Sequence, residues 1–291
     1  MKKFLWVIAY AVLLVAFTFY SVLDTFTISR VYNSADAHIP EIPEITQDII
    51  STDTCYWDGN ILITIAQYRE YETEIYVAEV IIKSPEYLRT ALAKNQYGKN
   101  IIDLTSNTAK ANGALFAVNG DFYGVRNDGY VIRNGELFRN VPAERDTLVI
   151  GKDGSFNIVK DTEVTAEELL ENGAAHAISF GPSLIENSQL TVNTESKVDL
   201  EWASNPRTAI GIVGEGHYLF VVSDGRLSDS KGLSIFELAS FMRSLGVTDA
   251  YNLDGGGSAT MYFNGRVVNR PTTQDQIIAE REVSDIVYIG Y

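Results

Sequence analysis

Cysteine and histidine are almost missing from this 291-residue chain. A single cysteine, Cys55, excludes an intrachain disulfide. The three histidines, His38, His176 and His217, lie far apart in the chain without metal-ligand spacing, which argues against a zinc site and against a Cys/His nucleophile pair. Basic residues are also scarce: 23 Lys and Arg against 38 Asp and Glu give a formal net charge of -15. Phosphate backbones are gripped by clustered Lys and Arg, so nucleic acid is not an expected partner, and any anionic ligand must be held locally. There is no internal repeat of fixed period and no low-complexity tract. What is present is 46% hydrophobic residues, ample for a packed core in one large domain or two small ones.

The longest apolar run stands at the N-terminus. Lys2 and Lys3 precede the uncharged stretch from Phe4 to Leu23, about the 20 residues that a helix needs to cross the hydrocarbon core. Basic residues before the span put the N-terminus in the cytoplasm and the remainder outside. A cleaved signal peptide is the alternative, but the run is long for one and no A-x-A cleavage site follows directly. An uncleaved anchor over 1–23 is therefore expected, in a single-pass cell-membrane protein with an extracellular domain. Residues 24–55 are polar and hold Pro40 and Pro43, which suits an extracellular stalk. The folded domain is expected over 56–291.

Within it, ILITIAQY (61–68) and EIYVAEVIIK (74–83) have the Ile, Val and Tyr content of a strand hairpin. Helical patterns follow at about 85–95 and 103–111, and ALFAVNG (114–120) reads as a buried strand ending in a turn. Asn134-Gly135, Asp153-Gly154 and Asn264-Gly265 are hairpin dipeptides, and Gly214-Glu215-Gly216 makes a looser turn. Thr165 with Glu168 and Ser234 with Glu237 form capping boxes. After the second box, Ile235, Leu238, Ala239, Met242 and Leu245 share one helix face and Gly246 ends the helix. Hairpins outnumber crossovers. The expected fold class is α+β: a mixed, largely antiparallel β-sheet with a few helices, in one catalytic domain after the transmembrane helix.

Three strand-like runs end in the same way: AVNGDFYG (117–124), LFVVSDGR (219–226) and AYNLDGGGS (250–258). Each delivers Asn or Asp and then Gly. Asp-Gly and Asn-Gly are ordinary turn sequences, and one such ending means nothing more. Three together suggest carboxylates and amides gathered along a sheet edge. Asp254 follows apolar Leu253 in a strand expected to be interior, where a buried carboxylate needs partners or a task. Gly255, Gly256 and Gly257 are costly to order, and their bare amides suit an anion-binding concavity. In SNPRTAIGI (204–212), Arg207 opens a strand, and its guanidinium fork suits bidentate phosphate binding or a structural ion pair equally.

NGDFYG, SFGPSLI (179–185), NPRTAIGI, VVSDGR, GLSIFELASFMRSLGV (232–247), NLDGGGSATM (252–261) and VNRP (268–271), in this order, resemble the phosphodiester glycosidases over about residues 110–291. That family includes the enzyme that uncovers mannose 6-phosphate on lysosomal proteins by removing N-acetylglucosamine, and bacterial exopolysaccharide-related members. The resemblance implies hydrolysis of the bond between an anomeric carbon and a phosphodiester oxygen, with a phosphorylated glycan or other sugar-phosphodiester as substrate. Glycoside cleavage normally uses two carboxyl groups. Asp254 and Asp224 are the candidates for stabilising the anomeric carbon or activating water, with Asp121 as a further catalytic candidate. Arg207, the backbone donors of Gly255 to Ser258 and the Ser258 hydroxyl are expected at the phosphate. Asn119 is expected at sugar hydroxyls or orienting a catalytic group, and Asn252 and Thr208, inside the same motifs, join the substrate-binding set. Glu237 matches a recurring family position, although its capping box explains it as well. Clustered Asp and Asn oxygens suit Ca²⁺ or Mg²⁺, but no EF-hand spacing is present, and metal dependence stays open. A serine hydrolase through Ser258 is disfavoured, because Thr260 stands where G-x-S-x-G requires glycine. A non-catalytic carbohydrate-binding or assembly module at the cell surface is the alternative function.

Overall fold

The alternation in Ile61–Glu70 and Thr73–Ile82 folds them into a hairpin in register from Ile61↔Ile82 to Glu70↔Thr73. Tyr71 and Glu72 turn it with φ of 50° and 55°, both in the left-handed region that a two-residue hairpin loop requires. The computed structural model describes residues 2–34, 49–196, 204–273 and 276–291. In it, the hairpin lies within a nine-stranded sheet. On one side of it come His217–Ser223, Arg207–Gly214, Asp249–Asn252, Ser183–Glu186 and Gln189–Leu190. On the other side are Cys55–Trp57 and Ile50–Ser51.

A five-stranded sheet orders Arg266–Val267, Met261–Phe263, Phe116–Asn119, Asp285–Ile289 and Leu88–Leu92. Another orders Glu136–Arg139, Val131–Arg133, Ala174–Ile178, Asp146–Gly151 and Phe156–Lys160. Ladders among these strands are antiparallel, in keeping with the expected α+β class.

The period of two along each strand divides the interior. Ile63, Val80, Ile210, Phe220 and Tyr251 of the large sheet pack with Phe116, Val118, Met261 and Val287 of the second and Leu148 and Ile178 of the third. The opposite face of the large sheet, with Ile75, Val77, Ala209, Leu219 and Val221, is covered by Ile235, Leu238, Ala239 and Met242 of the helix Ile235–Ser244. Both capping boxes are formed. Replacing Ser234 by alanine frees the Glu237 amide and is expected to cost about 1 kcal/mol, read as a shift of the urea unfolding midpoint at unchanged slope.

Helix Thr105–Ala111 and strand Phe116–Asn119 lie where their patterns predict. Asn134-Gly135 and Asn264-Gly265 take positive φ at both residues, 51° and 80°, and 46° and 89°. The helix expected at 85–95 is not formed. A 3₁₀ turn Pro85–Tyr87 leads into strand Leu88–Leu92 and a second 3₁₀ turn Ala93–Asn95. Residues 88–92 pair with Asp285–Ile289, and that tertiary ladder outweighs the local helical pattern.

The N-terminal helix spans Lys2–Phe26, and its stretch Trp6–Phe26 is long and apolar enough to cross a membrane. Within the segment expected as a stalk, Arg30–Ser34 is a strand paired with Gln96–Lys99, and Ile50–Ser51 extends the large sheet. Residues 35–48, with Pro40 and Pro43, lie outside the described residues.

Candidate active site

The segments 119–121, 205–208, 224–226 and 252–258 come together at the ends of their strands. Leu253 N donates to Thr208 O (2.9 Å), Asp254 N to Gly120 O (3.2 Å) and Gly256 N to Pro206 O (2.8 Å). A Cβ at Gly225 would stand 2.6 Å from Pro206 N. Asn119 is the knot: its Nδ2 donates to Asp254 O (2.6 Å), and its Oδ1 accepts from Thr208 Oγ1 (2.8 Å) and Thr260 N (3.2 Å). Asn119 and Thr208 are fully buried, so both stitch the site together from beneath. Asn252 donates Nδ2 to Gly181 O (2.8 Å), while its buried Oδ1 meets no donor among the described residues.

The glycine run is closely approached by the chain's own groups. A Cβ on Gly255 would lie 2.8 Å from Pro206 O, and one on Gly256, whose φ is +59°, 3.0 Å from Arg226 Nη2. A Cβ on Gly257 would lie 3.4 Å from Arg281 Cδ. Gly255 is closed to a side chain by a backbone carbonyl and Gly256 is favoured by its positive φ, whereas Gly257 meets only ordinary contact. Two of the expected donors are used within the protein, Gly256 N on Pro206 O and Ser258 N on Gly255 O.

Arginines surround this turn. Arg207 is 5% exposed and donates Nε to Leu233 O (2.9 Å), with Cδ 3.8 Å from the position of a Gly255 Cβ. Arg226 donates Nε to Asn205 Oδ1 (3.2 Å). Arg281 donates Nε (3.0 Å) and Nη2 (2.6 Å) to Ser258 Oγ and Nη2 to Asp254 Oδ2 (3.2 Å). Arg126 stacks over Phe180, 4.9 Å from the ring centre, and its charge acts on Asp254. In a chain of net charge -15, such a concentration of guanidinium groups is a local reversal of the overall field.

The three candidate carboxylates have different surroundings. Asp254 keeps 10% of its side chain exposed. Burial raises its pKa, against the opposing pull of Arg281, the Ser258 hydroxyl and the Gly255 amide. Asp224 has 0% of its side chain exposed. Its two oxygens accept from Arg270 N (2.8 Å) and Arg270 Nε (2.7 Å), and Arg270 Nη1 continues to Asp229 Oδ2 (2.9 Å). Burial raises the Asp224 pKa as well, with Arg270 acting against it.

Asp121 is 2% exposed and accepts from Tyr123 N (2.8 Å) and Arg133 Nη2 (2.8 Å). Arg133 Nε meets Asp285 Oδ2 (2.7 Å), whose Oδ1 accepts from Asp121 N (3.1 Å). Asp121 thus sits in a buried Asp–Arg–Asp triad, away from an open face. Of the three, Asp254 retains surface through which a ligand can reach it.

Burial, with the charge of Asp121 adding to it, raises the Asp285 pKa, and Arg133 opposes that shift. A carboxyl raised in the folded state loses stability as pH climbs from its unfolded value, about 3.9, toward the folded one. Asp285→Asn removes that loss. Relative to the parent, the variant is expected to gain stability from pH 4 to about pH 7 and to level off above it, measured by urea unfolding at each pH.

Arg226 and Arg270 lie in the VVSDGR and VNRP stretches, so motif context pointed near them. Arg126 and Arg281 carried no sequence signal, since both sit in ordinary charged surroundings. Among the described residues no group of three or more His, Cys, Asp or Glu is arranged to hold a metal ion. Arginine occupies the neutralising position beside Asp121, Asp224 and Asp254. Grooves of about 500 and 520 Å³, around Asp146 and Lys160 and around Lys152 and Asp153, contain none of the candidate residues.

The family model of phosphodiester glycosidase matches residues 112–290, a stretch that contains every residue of this cluster. The chain belongs to the phosphodiester glycosidase family. Its similar proteins include N-acetylglucosamine-1-phosphodiester alpha-N-acetylglucosaminidase of mouse, 31% identical over 53% of this chain and 35% of the mouse protein. The human enzyme of that name is 32% identical over 49% of this chain and 29% of its own length. An uncharacterised SPbeta prophage-derived protein, YomE of Bacillus subtilis strain 168, is 26% identical over 69% of this chain and 30% of its own. The matched stretch therefore spans about a third of these curated relatives. The solved catalytic domain of the zebrafish glycosidase shares the fold, with TM-score 0.63 and 21% identity, over 90% of this chain and 88% of that one.

Proposed function

We propose that this phosphodiester glycosidase is a membrane-anchored, outward-facing hydrolase that cleaves the anomeric C–O bond of a sugar-1-phosphodiester in a cell-surface glycan. The observation that carries the reading is the small accessible edge of the otherwise buried Asp254 beside Arg281, Arg226 and the Gly255–Ser258 turn. Water supplies hydroxyl to the anomeric carbon and a proton to the products, which are a free reducing sugar and a phosphomonoester. A phosphomonoester, with a second pKa of about 6, leaves well without strong acid assistance. Neutralising its charge matters more, and Arg281 and Arg226 are positioned for that, with Arg207 beneath and the Ser258 hydroxyl as a further donor. Asp254 stabilises the oxocarbenium-like transition state or directs water. Asp224 acts through Arg270 as a positioning residue, and Asn119, Thr208 and Asp121 hold the loops that carry the chemistry. The buried Asn252 Oδ1 is an acceptor suited to a sugar hydroxyl or a bridging water.

The test uses the full chain in detergent with the methyl phosphodiester of N-acetylglucosamine-1-phosphate in ¹⁸O-water. The label is expected in the released sugar. Label in the phosphate instead means P–O cleavage and rejects the mechanism. The second reading, a non-catalytic glycan-binding module, is favoured by the engagement of both Asp224 oxygens by Arg270 and of the Asp121 oxygens by Arg133 and the Tyr123 amide. It requires binding without turnover across pH, and binding that survives Asp254→Asn.

A further inference from the structure

The segment that joins the apolar helix to the domain is short and docked. Three residues, Thr27, Ile28 and Ser29, separate Phe26 from the strand Arg30–Ser34. Extended chain over that interval reaches at most about 14 Å. The strand pairs with Gln96–Lys99, and its backbone lies so close to Gly98 that a Cβ there would stand 1.8 Å from Arg30 O. Asn100 Nδ2 donates to Ile28 O (2.9 Å) and Ser29 Oγ to Asn100 O (2.9 Å), and Arg30 bonds back to Asp24 at the helix end.

From this strand a chain of contacts leads to the site. Tyr97 stacks on Tyr123, with ring centres 5.3 Å apart, and Asn100 N donates to Gly124 O (3.0 Å). Tyr123 N donates to Asp121 Oδ1 (2.8 Å), and Gly120 O accepts from Asp254 N (3.2 Å). The loop 119–124 is thus the layer between the juxtamembrane strand and Asp254. Phe26, Val31 and Tyr32, at 69, 51 and 61% exposure, present apolar surface at the junction, where Tyr suits the bilayer interface. At the site itself, Thr273 Cα would lie 3.5 Å from a Gly257 Cβ, and nearby Ile277 and Ile278 are 59 and 56% exposed.

We infer that the substrate is a sugar-1-phosphodiester whose far side is a lipid of the same bilayer, delivered to a site that the docked strand Arg30–Ser34 holds at the membrane surface. This rests on the hydrolase reading above and on the helix crossing the membrane. A flexible stalk would let the domain sweep a wide volume of polymer. A tether of three residues, pinned at both ends, keeps it against the headgroups.

The experiment places the full chain in phosphatidylglycerol vesicles and compares two esters of N-acetylglucosamine-1-phosphate, the membrane-partitioned hexadecyl diester and the water-soluble methyl diester. A flexible Gly-Ser spacer of about 20 residues, inserted between Thr27 and Ile28, lengthens the tether and leaves the strand pairing in place. Gly98→Val expels the strand. The expected result is a kcat/KM at least tenfold higher for the hexadecyl ester, lost in both variants while methyl ester turnover stays within twofold. Equal use of the two esters by the parent chain, or a preference unmoved by the spacer, overturns the inference and leaves the hydrolase reading standing. If neither ester is hydrolysed, the hydrolase reading falls and this inference with it. The spacer keeps the test decisive should Gly98→Val fail to fold.

Discussion

Asp254→Asn is expected to lower turnover of a sugar-1-phosphodiester by about 10²–10⁴-fold, the contribution of a positioned carboxylate to a transition state, with little change in thermal unfolding. The substitution keeps the shape, turns one acceptor oxygen into an amide donor and removes the charge proposed to face the reacting carbon. The backbone contacts of Asp254, to Gly120 and Asn119, do not involve the carboxylate, so the fold has little reason to respond. Arg281→Ala is expected to lower kcat and raise KM together, because that guanidinium touches Asp254 and Ser258 and also stands at the proposed phosphate position. Combining the two should cost less than the product of the separate losses, since side chains in one network are not independent. Initial rates on the methyl diester measure all three. Parent-like turnover in Asp254→Asn would remove that residue from the mechanism.

Arg133→Met is expected to destabilise the domain by about 3–5 kcal/mol, the loss seen when one member of a buried ion cluster is removed. Arg133 is fully buried between Asp121 and Asp285, with 1, 1 and 0% side-chain exposure across the three residues. It also donates to the carbonyls of Ile132 and Ala177. Without it, two carboxylates face each other with no cation, and one must take a proton or water must enter. The triple variant Asp121→Asn, Arg133→Met, Asp285→Asn should be more stable than Arg133→Met alone despite its greater number of changes, because no uncompensated charge remains. Urea unfolding of the two at pH 8 decides. A single variant as stable as the triple would show that the triad carries no such electrostatic tension.

The residues themselves determined a good deal. Strand periodicity in 61–82, the Asn-Gly turns and the two capping boxes are local properties, each set by side chains within a few positions of one another. They were therefore legible and correspond to formed elements. The family motifs marked the segments that meet at the site. The stretch 85–95 misled because a Leu-Thr-Leu alternation inside a helical background yields a strand only when a partner such as Asp285–Ile289 is available.

What tertiary structure alone decided is the distribution of partners. Arg133 chooses Asp121 and Asp285, Arg270 takes both oxygens of Asp224, and Arg281 reaches Asp254 across 27 residues. Nothing within a few residues of an arginine says which carboxylate it will neutralise, because charge pairing acts through space and depends on which strand ends converge. The same holds for the glycine run. Its composition pointed to bare amides, but only the folded chain shows that Pro206 O, Arg226 and Arg281 lie against it.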